Sequence, residues 1–208
     1  MMSVTVDHEP LAAEQMGLQT VGQVLAHVQR ENRLVTTLLI DGEEPDLDRI
    51  GAVRQAMLRG HTLFIETADP AIMALDALGE VEEQLRETDR LRSDAVDALQ
   101  RGQANRAMEK LSGCFSTWQN AQESVLKVAQ LLRIDLESLR ISGQPLTDLL
   151  GQFTEQLRQI KTALEHRDFV TLCDILTYEA NEASEQWIEA LFMLRRAIES
   201  QAAAAAAG

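Results

Sequence analysis

The sequence predicts an α+β protein that is mostly α: a small N-terminal β-α-β-α-β domain followed by an antiparallel four-helix bundle of two helical hairpins. Three observations predict it. Up to residue 68, short β-branched runs alternate with short amphipathic ones. Asp69-Pro70 then opens a stretch that keeps helical periodicity as far as Ser200. Within that stretch two long segments carry the same apolar rhythm, each marked by one tryptophan, Trp118 or Trp187.

Residues 3–7 (SVTVD) alternate and are rich in β-branched side chains, which predicts a strand. Thr20 stands as an N-cap before Val21, Val24, Leu25 and Val28, which recur at helical spacing. Residues 33–40 (RLVTTLLI) predict a second strand, closed by the turn dipeptide Asp41-Gly42. Pro45 and Asp46 open a short helix with Ile50, Val53 and Met57 on one face, and Gly60 stands beyond its end. Residues 61–67 (HTLFIET) predict the third strand. Helical crossovers between strands imply parallel neighbours. In outline this order of elements resembles compact β-grasp and split β-α-β modules.

Asp69 is placed as the N-cap of a helix over residues 71–101, which Gly102 ends. The second helix covers 103–134. Residues 135–145 (DLESLRISGQP) connect it to a third over 146–166, with Ser142, Gly143 and Pro145 as breakers. Asp168 caps the fourth, which runs from 169 to about 200. Leu146, Leu150, Phe153, Leu157, Ile160 and Leu164 are spaced alternately four and three apart. Phe169, Cys173, Leu176, Ala180, Ala183, Trp187, Ala190, Leu194 and Ala197 extend the same alternation along the fourth helix. That spacing is a coiled-coil-like seam, and the short links make antiparallel hairpins. The first helix departs from it. In residues 88–94 (TDRLRSD) only Leu91 is apolar, so this middle is expected to face solvent or to project past the other helices. The expected domains are thus residues 1–68, residues 69–201 and an Ala-rich tail, 202–208, to which no function is assigned.

The formal net charge is −14, from 19 Lys and Arg against 33 Asp and Glu. That balance argues against nucleic acid and anionic membrane as partners, and fits a basic protein partner better. No run approaches the ~20 apolar residues of a membrane helix. The N-terminus MMSVTVDHEP lacks the basic region and apolar core of a signal peptide. Two cysteines, Cys114 and Cys173, both on apolar stripes, read as buried free thiols and suit a reducing cytoplasm.

Chemistry finds little support. None of His8, His27, His61 and His166 completes the Glu-x-x-His pair that a bundle metal site uses. No Gly-x-Ser-x-Gly elbow and no glycine-rich phosphate loop occurs. The expectation is therefore a non-enzyme without cofactor or metal. It is read as an adaptor, scaffold or chaperone-like module that binds another protein through acidic helical faces or the edge of the N-terminal sheet. Phe64, Glu83, Glu87, Arg90, Glu182, Glu185 and Glu189 are the candidate partner-binding residues, with the strand of Phe64 as the sheet edge able to add a partner strand. Two other readings stand beside it: a self-assembling structural protein that forms homo-oligomers, and a metal or small-ligand site inside the helices.

Overall fold

A computed structural model describes residues 3–30 and 33–207, excepting the side chains of Leu47 and of residues 205–207. The chain is mostly helical and carries one small mixed sheet, so it is α+β with α dominant. It divides into two compact units, Met1–Met73 and Ala74–Gly208.

The first unit begins with β1 (Ser3–Val6) and β2 (Glu9–Pro10), followed by α1 (Val21–Arg30) and β3 (Leu34–Ile40). A 3-10 turn, Leu47–Arg49, leads into α2 (Ile50–Gln55), and β4 (Thr62–Ala68) completes the sheet. Thr20 Oγ1 accepts the Gln23 N–H at 3.3 Å while Gln23 Oε1 accepts the Thr20 N–H at 3.2 Å, a reciprocal cap for α1. The strands lie in the order β2-β1-β4-β3. β1 runs parallel to β4, and both flanking pairs are antiparallel.

This corrects three expectations. The sheet has four strands, not three. β2 is only two residues long and pairs with β1 across a turn at Asp7 and His8, whose φ values of 50° and 67° are left-handed. Such hairpin turns usually announce themselves with glycine, and this one has none. The second predicted strand, β3, is antiparallel to its neighbour, because β4 takes the slot beside β1. Burial explains the choice: Leu63 and Ile65 of β4 are fully buried against α1, whereas β3 is half-buried throughout most of its length. The strand of Phe64 is therefore central and not an edge. Of the predicted apolar face of α2, only Val53 packs on the core. Ile50 and Met57 are exposed, the helix stops at Gln55, and Leu58 enters the core instead. At Gly22 of α1 an added Cβ would stand 2.7 Å from the Arg54 carbonyl oxygen, so this close approach to α2 requires glycine.

The longest helix, α3 (Pro70–Gln100), starts where Asp69 Oδ1 accepts the Ala71 N–H at 2.7 Å, and the division between units falls within its first turns. Gly102, at φ 71°, receives the chain after α3 before α4 (Ala104–Leu132) begins. A two-residue hairpin, β5 (Arg140–Ile141) and β6 (Gln144–Pro145), occupies part of the predicted connection. After it come α5 (Leu146–Glu165), α6 (Phe169–Asp174) and α7 (Ala180–Ala207). Between α6 and α7 lies a π-turn, Ile175–Glu179, that the sequence reading missed.

Side chains tie the long helices together. Lys110 Nζ stands 2.7 Å from Asp94 Oδ2 between α3 and α4. Gln122 donates to Thr154 at 3.0 Å between α4 and α5, and Arg195 stands 3.6 Å from Glu82 between α7 and α3. Trp118 and Trp187 are both buried and both meet Phe153, at ring distances of 6.2 and 5.2 Å with edge-on geometry. No helix among the described residues is long and apolar enough to cross a membrane.

Candidate functional site

The helical register change at the π-turn shapes the most distinctive side-chain arrangement in the molecule. Along this stretch the buried line runs through Leu172, Leu176, Ala180 and Ser184, three successive steps of four, with Ile175 buried beside it, before Trp187, Leu191, Leu194 and Ile198 resume the usual alternation. Steps of four overshoot a 3.6-residue turn, and one inserted residue in π geometry absorbs the excess. The predicted stripe positions Cys173, Ala183 and Ala197 each lie one residue off the buried line and are half-buried.

A π-turn leaves a backbone carbonyl without its helical donor, and a buried carbonyl needs a partner. Arg92 supplies it. Its guanidinium, with the residue only 8% exposed, donates to the Leu176 carbonyl and, at 3.0 Å, to Asn181 Oδ1. Asp89 stands 3.6 Å from Arg92 Nε and accepts from the Ser184 hydroxyl at 2.7 Å. Thr88, also buried, returns its own hydroxyl to the Gln84 carbonyl at 2.8 Å. Thr88, Asp89 and Arg92 of the polar middle of α3 therefore turn inward, against the expectation that this stretch meets solvent, while Arg90, Ser93 and Asp94 are exposed.

On the other side of the π-turn an open cleft of about 320 Å³ runs between α5 and the start of α7. Phe153 and Trp187 line its floor, with Leu149 and Ala183. Its rim is all acceptor-rich: Glu155, Glu179 and Glu182, with the amides of Gln152, Gln156, Gln159 and Gln186. Glu155 is already neutralised by Arg158 at 2.6 Å, which raises the Arg158 pKa through that hydrogen bond. Glu179 and Glu182 have no ion-pair or hydrogen-bond partner among the described residues. No cationic side chain lines the cleft. Such a site offers a ligand unpaired negative charge above two aromatic rings that are themselves buried.

Residues 76–190, just over half of the chain, match the family model described as a domain of unknown function, DUF8042. The chain belongs to the DUF8042 family. No curated protein and no solved structure matches it. The DUF8042 segment contains every residue of the cleft and the Arg92 network, and it excludes the N-terminal sheet.

The structure disperses the seven predicted partner residues. Of these, only Glu182 lines the cleft. Glu185 accepts from the Asn181 amide at 3.3 Å, beside the Arg92 network, and Glu189 accepts from Ser142 in the β5–β6 turn at 3.0 Å. Glu87 pairs with Arg90 at 3.2 Å on the exposed side of α3, and Glu83 lines a shallow groove with Arg86 and Arg195. Phe64 lies in the other unit, half-buried on the sheet face away from α1, where the His8 ring packs on it at 5.3 Å. The missed residues, Gln152, Gln156 and Gln159, carried a signal: amides at helical spacing flanking the aromatic Phe153.

The two cysteines are free, Cys114 buried and Cys173 half-buried. Burial pushes the Cys114 thiol up to about 11 and raises that of Cys173, so neither is an activated nucleophile. Among the described residues no group of three or more His, Cys, Asp and Glu side chains is placed to hold a metal ion.

Proposed function

We propose that this protein is a non-catalytic interaction module of the cytoplasm, adaptor, scaffold or chaperone-like in role, whose α5–α7 cleft receives a lysine or arginine side chain of a partner protein. The long helices are read as an antiparallel four-helix bundle of two hairpins. The short links at 101–103 and 166–168 and the side-chain ties between α3, α4, α5 and α7 support that reading. The β1–β2 hairpin, with β4 returning beside β1, supports a β-grasp-like reading of the first unit.

The observation that carries the proposal is the unpaired Glu179 and Glu182 above the Phe153–Trp187 floor. Each exposed carboxylate adds about 0.2–1 kcal/mol. One basic side chain is therefore held weakly, and the cleft acts as a specificity point in a larger interface.

A titration of the isotope-labelled full chain with a short arginine-containing peptide, followed by NMR, tests this. The Trp187 indole signal and the Glu179 and Glu182 amides are expected to shift, less so at high salt. The shifts are expected to vanish in the Glu179→Gln, Glu182→Gln double variant. No shift at these positions, or an equal shift in the double variant, refutes the cleft.

A further inference from the structure

Glu179, Glu182 and Glu185 follow one another at steps of three from the π-turn into α7, and like charges so placed on a helix repel. Glu179 and Glu182 line the cleft, and Glu185 does not. Glu185 instead accepts from the Asn181 amide at 3.3 Å. The groups that hold this arrangement lie behind the helix, on α3.

Arg92 meets the chain on both sides of Glu179. Its guanidinium donates to the Leu176 carbonyl, three residues before, and at 3.0 Å to Asn181 Oδ1, two residues after. An arginine only donates, so the Asn181 amide turns its oxygen to Arg92 and its NH2 to Glu185. Asp89, beside Arg92, accepts from the Ser184 hydroxyl at 2.7 Å and adds a further hold on α7. None of Asp89, Arg92, Asn181 and Ser184 lines the cleft.

The place of the π-turn decides where the cleft carboxylates point. A π-turn carries one residue more than a regular turn, and each residue turns a helix by about 100°. With the extra residue before Glu179, both carboxylates share the phase of Gln186 and Trp187, which line the same cleft. Placed after Glu182, it would leave both about 100° off that line. The carbonyl freed by the π-turn is that of Leu176, and the donor that meets it is anchored in α3. We propose that Arg92 is the positioning residue of the cleft. It pins the π-turn at Leu176 and so aims Glu179 and Glu182 at the ligand, while through Asn181 it draws Glu185 aside. This rests on the reading of the cleft as a site for a basic side chain.

NMR titration of the labelled full chain with the arginine-containing peptide, repeated on Arg92→Lys, tests this. Lysine keeps the charge but loses the fork that serves both acceptors at once. In the free variant the Glu179 and Glu182 amide signals are expected to move. The peptide Kd is expected to rise about threefold, the worth of one exposed carboxylate contact. Combined with Glu179→Gln, the loss is expected to fall short of the product of the two single losses, because Arg92 acts through that carboxylate. A general loosening of the fold would multiply them in full. Asn181→Ala, at an exposed position, removes one of the two contacts and is expected to move the same signals. Glu185→Gln is expected to leave the Kd unchanged. Unmoved Glu179 and Glu182 signals in both Arg92→Lys and Asn181→Ala overturn the proposal, as does a fully multiplicative combination or an equal loss in Glu185→Gln. Those results leave the cleft itself standing. A wild type whose signals the peptide does not move overturns the cleft and this proposal with it.

Discussion

Helices α3 and α4 space their buried residues alike and fill them with different chemistry. In α4 the line is Ala107, Leu111, Cys114, Trp118, Ala121, Val125 and Val128, apolar throughout. In α3 it is Ala74, Leu78, Val81, Leu85, Thr88, Arg92, Ala95 and Leu99, with two polar residues in mid-course. The difference follows from the neighbour. Trp118 of α4 packs on the ring of Phe153, which asks only for apolar contact. Arg92 of α3 meets Leu176 and Asn181, where the π-turn has freed a carbonyl. A buried position can take a charge when the backbone facing it lacks a donor, and a hydrophobic side chain there would leave that carbonyl unpaired.

Removing one residue from each of two helices separates the cases most strongly. Deleting exposed Glu123 from α4 rotates Val125 and Val128 by about 100° out of line. The expected cost is about 5 kcal/mol or more, with loss of cooperative folding. Deleting exposed Tyr178 from the π-turn removes the inserted residue, so Trp187, Leu191 and Leu194 keep their phase. The expected cost is about 2 kcal/mol, from the acceptor that Arg92 then loses. Urea denaturation followed by circular dichroism measures both. Equal losses would mean that the π-turn is not the register correction described above.

The same contrast explains what was legible beforehand. The α4 line is apolar, so periodicity alone finds it. The α3 line has the same spacing, but a search by hydrophobicity ends at Leu85 and resumes at Val96, and Thr88 and Arg92 then read as surface. In the fourth helical stretch the alternation of four and three was kept by taking Cys173 and Ala183, one residue away from buried Leu172 and Ser184. Three consecutive steps of four were present in the sequence as the trace of the π-turn. Three of the four strands, β1, β3 and β4, were legible, and their order was not, because which strand sits beside β1 depends on non-local burial of Leu63 and Ile65. Glu182 was singled out for its charge. Its place in the cleft depends on α5, which the short link already pairs with the fourth helical stretch, but nothing in the polar residues of α5 says which of them stand opposite Glu182.

A smaller and more diagnostic effect comes from Arg92 itself. Arg92→Ala is expected to cost about 3 kcal/mol, because it strands a buried carbonyl and takes one partner each from Asn181 and Asp89. Combined with deletion of Tyr178, the loss is expected to fall short of the sum by 1 kcal/mol or more, since the regular helix returns a donor to that carbonyl. Strict additivity in urea midpoints would show that Arg92 does not serve the π-turn. The corresponding substitution in α4, Cys114→Ala, has no polar partner to strand apart from a weak contact of its sulfur at 3.8 Å with the Thr88 carbonyl. It is expected to show no coupling to the deletion.

The smallest effect belongs to the first unit, where the polar pin is at the surface. Asp7 accepts the Thr67 N–H at 2.7 Å and the Thr67 hydroxyl at 2.5 Å, and Arg33 stands at 3.2 Å. These bonds, with Thr67 foremost, hold its carboxyl below the ordinary 3.8. A depressed carboxylate stabilises the fold above its unfolded value, and the contribution disappears as pH falls below 3.8 through the folded value. The side chain is 40% exposed, so solvent screens most of the charge term and the hydrogen bonds carry the rest. Asp7→Asn is expected to cost about 1 kcal/mol near neutrality. That gap between wild type and variant is expected to close as pH drops from about 4 towards 2, read from urea midpoints across the range. A gap that stayed constant would assign the cost to the left-handed backbone at Asp7 and not to its charge. The pH-dependence is what sets this pin apart from the α3 network. There the decisive acceptor is a backbone carbonyl, which does not titrate, so the Arg92→Ala loss is expected to persist over the window in which the Asp7 contribution fades.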